Sequence, residues 1–532
     1  MPPQQNREVL RLAPQEWLFL GLVVLGWAIF VISLGKDMSW DFRNYHWYIP
    51  YAFLNGRMSL DISVAHQATF YNPALDIPFY LLATHAPSWV ALGTLGAVQG
   101  ANVVPLYLMA RSILTTPQRK LVAAIVALFC MTGGLTLSLS GTTYYDTVMS
   151  VFVLCGLALV IAQRETLRDG TLARGALIAG AAGLLVGTAV ALKLPEAPFA
   201  LGFAATLLIL PGDLRHRATR FFAGALGGAI GIALFAGFWY VKMAHLTGNP
   251  LFPYFNQVFH SPLALTASYR DERFLPHSLY DALILPFLFS IDWHVADDLP
   301  FQDIRVGLAY VFVILALPVW LFAKRPRESL VASDAAAALF GFAAVSYVAW
   351  IAIFAIYRYI VLLEMLGPLL VVAAIGLWPV SVRARFITAA VMLLFAGLTM
   401  RTGILKRAPL GDPYIQVTMP PIVDPDHAMV LMTGEGPLGF LAPSIPHQVP
   451  IIRIDGWMIQ PNDGSRLTAE ARRRVGAFKG DLYAIFGTYE LPRSTDALSQ
   501  YGLAVKLSEC GDIVTNLGED YRFCPLIRIA KP

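Results

Sequence analysis

Long apolar runs recur along this chain and constrain its fold more than any other feature. A helix needs roughly 20 apolar residues to cross the hydrocarbon layer of a membrane. Eleven runs of roughly this length lie at about residues 17–35, 87–110, 121–139, 147–163, 175–192, 196–210, 221–241, 305–323, 332–354, 359–378 and 386–400. Hydrophobic residues make up 57% of the chain and charged residues only 14%, which would give a soluble protein too apolar a surface. The sequence therefore predicts an α-helical polytopic membrane protein.

Short basic connections between these runs predict the orientation, because Lys and Arg are retained on the cytoplasmic side. These connections are residues 111–120, 164–174, 215–220, 324–327 and 383–385. Their alternation with longer loops places the N-terminus in the cytoplasm and everything after residue 400 outside. The run at 17–34 is longer than a signal-peptide core, so we expect a retained span. Because the basic residues cluster in loops rather than in a tract, no nucleic-acid partner is expected.

Two shorter segments of the outer loops are predicted to lie along the membrane surface. Residues 279–291 are apolar but too few to span, and residues 42–54 are rich in Tyr and Trp. Such residues favour the boundary between water and lipid. We expect an interfacial helix in each segment.

The pattern changes after about residue 401. Apolar runs shorten to strand length at 428–432 and 482–486, and a charged, helix-favouring stretch at 469–474 lies between them. This predicts a membrane domain at 1–400 and a small periplasmic α/β domain at 401–532.

The four cysteines divide between the two parts of the chain. Cys130 and Cys155 lie in predicted spans, where a small apolar thiol packs without further role. Cys510 and Cys524 lie in the tail, and a disulfide closing this loop of about 15 residues would contribute roughly 3 kcal/mol. Such a bond requires an oxidising compartment, which agrees with the predicted orientation.

Two acidic residues stand near the outer ends of predicted spans. Asp41 heads the segment Trp-Asp-Phe-Arg-Asn-Tyr-His after the first span, and Asp146 follows Gly-Thr-Thr-Tyr-Tyr before the fourth. Each could simply cap the helix that follows. If both are functional, they bring two carboxylates to one outer cleft, where they could deprotonate a hydroxyl or hold a cation. The sequence leaves both roles open.

Two cationic residues are also expected at the outer boundary. Lys193 ends the fifth span, and Arg358 opens the tenth next to Tyr359. Either cation could snorkel to the interface, or bind a lipid phosphate through an ammonium or a guanidinium group. Glu364, further inside the same span, fits a hydrogen-bond partner between helices better than a catalyst.

The long outer loop holds a Gly-Asn-Pro-Leu-Phe-Pro stretch at 248–253, followed by many charged residues. A charge run in a loop is usually a solvated surface, and metal ligation by its acids is the weaker interpretation. No spacing typical of a zinc site, a P-loop or a Rossmann fingerprint occurs. We assign no metal ligand, and a divalent cation, Mg²⁺ or Mn²⁺, stays open as a cofactor.

With these residues in place, the membrane part resembles the GT-C superfamily of glycosyltransferases, relatives of the protein O-mannosyltransferases and of the aminoarabinose transferases of lipid A. The features that match in kind and position are Asp41, Asp146, Lys193, the 248–253 stretch and Arg358-Tyr359. The resemblance implies a multi-pass protein of the bacterial inner membrane. It would move sugar from a polyprenyl-phosphate carrier to an envelope glycan or lipid acceptor on the periplasmic side, inverting the anomeric carbon.

The resemblance also implies a role for each residue. Asp41 would be the general base, with Asp146 orienting the acceptor or the donor sugar. The donor phosphate would be bound by Lys193, Arg358 and Tyr359, and the remaining substrate contacts would come from Tyr45, His46, Asn249 and Arg270. A phosphate leaving group is already a weak base, so one carboxylate suffices, unlike the pair that hydrolysis of an ordinary glycoside requires.

Two alternatives remain open at this point. A polysaccharide polymerase or ligase would use an arginine-rich outer loop and a catalytic histidine, for which Arg270, Arg273 and His277 are candidates. A transporter of lipid-linked substrates would place ionisable residues near the middle of the membrane, often on broken helices in two related halves. Few charges lie at mid-span and no repeat is evident, which favours an enzyme.

Overall fold

The chain folds into a helical bundle that carries a mixed β-sheet domain at one end. The computed structural model describes residues 11–322, 329–403 and 405–529. Among these residues, seven helices are long and apolar enough to cross a membrane: Pro14–Leu34, Ser88–Ile113, Leu172–Leu192, Leu214–Thr247, Ser333–Ile353, Tyr357–Gly376 and Val382–Thr399. Shorter apolar helices are Asp146–Ala162, Leu194–Ile209, Leu279–Leu288 and Arg305–Val319. This architecture is consistent with a polytopic membrane protein, whereas the count of eleven spans stays a prediction.

Some predicted connections are helical in the structure. The basic residues at 215–220 and 383–385 lie in the first turns of the helices Leu214–Thr247 and Val382–Thr399. The first of these helices starts early because the side chain of Asp213 accepts a hydrogen bond from the N–H of His216 (2.8 Å). The connection at 324–327 and residues 1–10 lie outside the described residues.

The apolar run at 121–139 does not form one helix. It gives the helices Arg119–Met131 and Gly134–Ser138, with the break at Gly133, where a side chain would collide with the carboxyl group of Glu364. Glu364 accepts hydrogen bonds from the N–H groups of Leu135 (3.2 Å) and Thr136 (2.8 Å). It therefore joins two helices, as its position in a span predicted.

Both segments predicted to lie at the interface contain helices. The first forms a π-helical turn at Phe42–His46 and an α-helix at Tyr48–Leu54, and the second forms the helix Leu279–Leu288.

The tail forms a seven-stranded sheet. Its strands are β1 (Val417–Thr418), β2 (Ala428–Met432), β3 (Ile451–Arg453), β4 (Asp481–Gly487), β5 (Leu503–Val505), β6 (Gly511–Thr515) and β7 (Tyr521–Arg528). The order is β1-β6-β7-β4-β2-β3, and β5 also pairs with β7. Strand β2 runs parallel to β3 and β4, while the other pairs are antiparallel. The helices Arg466–Ala477 and Leu491–Ser499 complete this α/β unit, and a disulfide joins Cys510 to Cys524 in β7.

The loop after the first helix is held tightly against the sheet domain. Lys36–Asp37 pairs antiparallel with Arg407–Ala408. Further along, Ile62 adds to the free edge of β3, because its N–H donates to the carbonyl of Ile451 (2.9 Å) and its carbonyl accepts from Arg453 (3.0 Å). These contacts place Asp41 between the bundle and the sheet.

Candidate active site

Asp41 does not act as a helix cap. Although it precedes the turn Phe42–His46, its side chain makes no capping hydrogen bond. Its Oδ2 atom instead accepts a hydrogen bond from the hydroxyl group of Tyr45 (2.7 Å) and lies 3.4 Å from Nη1 of Arg358. The carboxylate is partly exposed, so an incoming molecule can reach it.

Arg358 links the two predicted acids. Its Nε atom lies 3.8 Å from Oδ2 of Asp146, while Nη1 faces Asp41. The guanidinium carbon lies 4.3 Å from the ring centre of Tyr144 and 5.4 Å from that of Tyr359. Stacking on aromatic rings and pairing with two carboxylates fix the plane of the guanidinium group.

Asp146 and Lys193 form the buried side of the cluster. Asp146 is 1% exposed, and its Oδ1 atom pairs with the ammonium group of Lys193. Lys193 also donates to the backbone carbonyl of Tyr144 (2.8 Å) and lies 5.4 Å from the ring centre of Tyr359. The side chain of Asp146 thus pairs with the ammonium group of Lys193 rather than capping its own helix.

Asp297 is a member of the site that the sequence did not single out from the other acids of its loop. It is buried, and its Oδ2 atom accepts a hydrogen bond from the backbone N–H of Arg358 (2.6 Å). Burial raises the pKa of Asp297 to about 6, against the opposing effect of the Arg358 charge. Asp297 therefore fixes the backbone from which Arg358 extends.

Three tyrosines form a wall beside Asp41. The ring centres of Tyr45 and Tyr71 lie 5.7 Å apart, and those of Tyr71 and Tyr254 lie 5.8 Å apart, with a hydrogen bond between the last two hydroxyl groups. Burial, reinforced by the charge of Asp41, raises the pKa of Tyr45 well above its ordinary value. Tyr45 is therefore a neutral hydrogen-bond donor.

The other predicted substrate residues lie further from the two carboxylates. The Nδ1 atom of His46 lies 2.6 Å from Oδ1 of Asp76, and its ring packs 4.1 Å from that of Tyr45. Asn249 is fully buried and donates to the backbone carbonyl of Tyr254 (2.9 Å), so it shapes the loop that supplies this tyrosine. Arg270 pairs with Glu272 at 2.9 Å.

The space between the two acids is filled by protein cations. Within residues 11–322, 329–403 and 405–529, no group of three or more His, Cys, Asp or Glu side chains is arranged to hold a metal ion. Arg358 lies between Asp41 and Asp146, and Lys193 occupies the other side of Asp146. In this arrangement each of the two carboxylates is paired with a cationic side chain of the protein.

The structure thus combines an apolar helical bundle, a sheet domain and a cluster of charged side chains formed by Asp41, Asp146, Lys193 and Arg358. No protein-family model, curated protein or solved structure shows a significant match to this chain.

Proposed function

We propose that this protein is a membrane glycosyltransferase. It transfers a sugar from a polyprenyl-phosphate carrier to an envelope glycan or lipid acceptor on the periplasmic side of the inner membrane. The observation that carries the proposal is the sharing of one guanidinium group, that of Arg358, between a partly exposed and a buried carboxylate.

The cations of the cluster suit a donor phosphate. Arg358 presents a planar guanidinium fork, and Lys193 presents a point charge. The ring centre of Tyr359 lies 5.4 Å from the Lys193 ammonium nitrogen and 5.4 Å from the guanidinium carbon of Arg358. Both cations are only partly exposed, so their attraction to an anion is screened less than at an open surface. They would stabilise the negative charge that grows on the departing phosphate.

In this proposal Asp41 accepts the proton of an acceptor hydroxyl. Its contacts with Tyr45 and Arg358 both use Oδ2, which leaves Oδ1 for the acceptor. Direct attack of the resulting oxygen on the anomeric carbon breaks the bond to the phosphate and inverts the configuration. The proton stays on Asp41, and the phosphate carries the electron pair away.

Asp146 is a positioning residue in this scheme. At 1% exposure it is buried too deeply to touch an acceptor, but it contacts both Lys193 and Arg358. A buried charge is stable only when it is paired, so the three groups hold one another in place.

The first test is transfer of radiolabelled sugar from a panel of polyprenyl-phosphate donors by the purified protein in nanodiscs. We expect Asp41→Asn to lower the rate by about 10²- to 10⁴-fold, as loss of a general base does, while donor binding is retained. Asp169→Asn is the control, since Asp169 is 64% exposed and pairs with Arg168. Equal rates for wild type and Asp41→Asn would reject this base.

The polymerase or ligase alternative draws less support from the geometry. Arg273 is already paired with Asp271 (2.7 Å) and Asp298 (2.7 Å), and Arg270 with Glu272. The charges of both arginines are thus balanced by neighbouring acidic residues.

A further inference from the structure

A half-exposed tryptophan of the sheet domain stacks on the residue that precedes the proposed base. Trp457 is 49% exposed, and its ring stacks on that of Trp40, with ring centres 4.7 Å apart and planes inclined by 21°. Trp40 immediately precedes Asp41. The stacked pair therefore joins the sheet domain to the segment that bears the carboxylate.

The orientation of Trp457 is fixed by the protein. Its backbone N–H donates to Nδ1 of His66 (3.2 Å), whose ring centre lies 5.4 Å from that of the indole. Gly456 has φ +158, and a side chain there would collide with the His66 ring. The indole also lies near the side chain of Glu435 and helps to lower the pKa of that carboxyl group. Trp457 is thus held in place without any ligand.

Charged groups surround the exposed part of this ring. Arg493 pairs with Glu435 (2.7 Å) and with Asp455 (2.6 Å). Partial burial acts to raise the pKa of Glu435, but hydrogen bonds from Trp457 and Arg493 hold it below its ordinary value. The carboxylate therefore stays ionised and able to accept hydrogen bonds at neutral pH.

A second exposed aromatic residue belongs to the same surface. Tyr489 is 72% exposed, and a side chain on Gly436, next to Glu435, would lie 3.1 Å from its hydroxyl oxygen. Contiguous exposed apolar surface that is bordered by polar groups marks interaction sites. We call the set Trp40, Trp457, Tyr489, Glu435, Asp455 and Arg493 the Trp457 platform.

We propose that the Trp457 platform binds a saccharide of the acceptor glycan. A pyranose has an apolar face of C–H groups that packs on a flat aromatic ring, and a rim of hydroxyl groups that bond to carboxylates and guanidinium groups. The platform offers both, in the mixture of aromatic surface and few fixed polar groups that ligand sites show. The assignment to the acceptor rests on the proposed function, because it depends on Asp41 being the base.

The test measures saccharide binding without transfer. Full-length protein in nanodiscs is titrated with free tri- to hexasaccharides built from hexoses, hexosamines, deoxyhexoses and uronic acids, and with the same glycans attached to lipid. We expect Trp457→Ala and Tyr489→Ala each to weaken binding by about tenfold or more, and Trp457→Phe to retain most of it. The comparison of the two forms shows whether the platform binds a free glycan or a glycan that is attached to a lipid.

A matched pair of arginine variants separates the platform from the rest of the sheet domain. Arg493→Ala removes a guanidinium group from the platform. Arg473→Ala removes one that is 68% exposed and pairs with Glu470 on the helix Arg466–Ala477. We expect only the first to weaken saccharide binding. Because the side chain of Tyr489 is 72% exposed, its replacement by alanine is not expected to disturb folding. The Tyr489→Ala variant therefore tests the platform even if Trp457→Ala fails to fold.

The outcomes distinguish this inference from the proposed function. No saccharide bound by wild type, or equal binding by wild type and the Trp457→Ala and Tyr489→Ala variants, overturns the platform. Binding that depends on Trp457 and persists in Asp41→Asn supports it. If no donor supports transfer yet this binding is found, the platform stands as a saccharide site, whereas its assignment to an acceptor and the transferase proposal fail.

Discussion

At the scale of single residues, the charges around Arg358 are balanced before any substrate binds. The guanidinium group of Arg358 lies 3.4 Å from the carboxylate of Asp41 and 3.8 Å from that of Asp146. Asp146 also forms a direct ion pair with Lys193. A bound phosphate would compete for the cations, and the 3.4 Å contact to the partly exposed Asp41 is the one it can replace. Release of Asp41 from Arg358 would free its Oδ2 atom from this ionic contact, so donor binding and acceptor binding at the same carboxylate would be coupled.

This coupling predicts that Arg358→Lys impairs transfer although it retains the positive charge. A lysine cannot contact both carboxylates and stack on Tyr144, because it lacks the planar fork. We expect the rate to fall by about 10²- to 10³-fold, as for loss of a donor that stabilises developing charge. Single-turnover transfer with saturating donor measures this step.

Arg168→Lys is the control for that prediction. Arg168 pairs with Asp169 at an exposed site, where ion pairs contribute only about 0–1 kcal/mol. A rate for Arg358→Lys equal to that of this control would mean that the guanidinium geometry is not used.

The sequence could single out four charged residues, because each stands at or just beyond the end of an apolar run: Asp41, Asp146, Lys193 and Arg358. A charge in that position is costly unless it is paired or functional. Asp297 could not be chosen from the sequence, since five acidic or histidine side chains crowd its loop and only the folded backbone brings one to Arg358. The same holds for Tyr71, whose partner Tyr254 is 183 residues away.

At the scale of elements, glycines allow two helices to approach closely. A side chain on Gly183 or Gly187 of Leu172–Leu192 would collide with the backbone carbonyl of Gly224 or Gly228 in Leu214–Thr247. Small residues spaced four apart are typical of tightly packed membrane helices. Lys193 directly follows the helix Leu172–Leu192, so this contact helps to set the position of the ammonium group.

Gly187→Val is therefore expected to reduce both stability and transfer. Overpacking a close contact costs about 1–3 kcal/mol, and the displaced helix would move Lys193 away from Asp146. Gly237→Val is the matched control on the second helix, because a side chain there meets nothing within 4 Å. Thermal unfolding in nanodiscs and transfer rate are measured together. Equal melting temperatures for the two variants would contradict the packing argument.

Local patterns predicted the elements of the tail well. Residues 428–432 form a strand with those bounds, and the stretches 482–486 and 469–474 lie within a strand and a helix. The break within 121–139 was missed because hydropathy does not record that Glu364, 228 residues away, bonds the backbone there. Helix ends set by a cap, such as Asp213, were likewise placed several residues too late.

At the scale of the whole molecule, the sheet domain and the first loop are one interlocked unit. Residues 36–37 pair with 407–408, and Arg57 and Asp61 form a buried ion pair that also bonds the backbone of Val449 and Ile451. Sequence predicted a separate domain from residue 401 onward. It could not predict the interlocking, because pairing between distant segments leaves no local pattern.

This unit is expected to loosen in acid. Burial and the neighbouring Arg453 charge lower the pKa of His66 well below its ordinary value of 6.5, so the ring is neutral when it accepts the Trp457 N–H. Below about pH 6.5 the unfolded chain binds a proton that the folded ring resists, and stability falls as the pH falls. The charge of Arg493 adds to the effect.

Hydrogen exchange of residues 455–460 between pH 7.5 and 5 measures this loosening. We expect protection to decrease through that range in wild type and to stay nearly constant in His66→Asn, which can accept the same hydrogen bond without titrating. The same pH dependence in both proteins would assign the effect to another group.

The buried hydrogen bond from Ile451 to Asp61 also has a consequence for biosynthesis. The two residues are 390 positions apart. At about 5–20 residues per second, the ribosome needs roughly 20 to 80 s to make the second after the first. During that interval the loop bearing Asp41 lacks the strand that fixes it. The surroundings of Asp41 are therefore completed last, and a chain that stops before residue 451 would carry the bundle without the strand that fixes this loop.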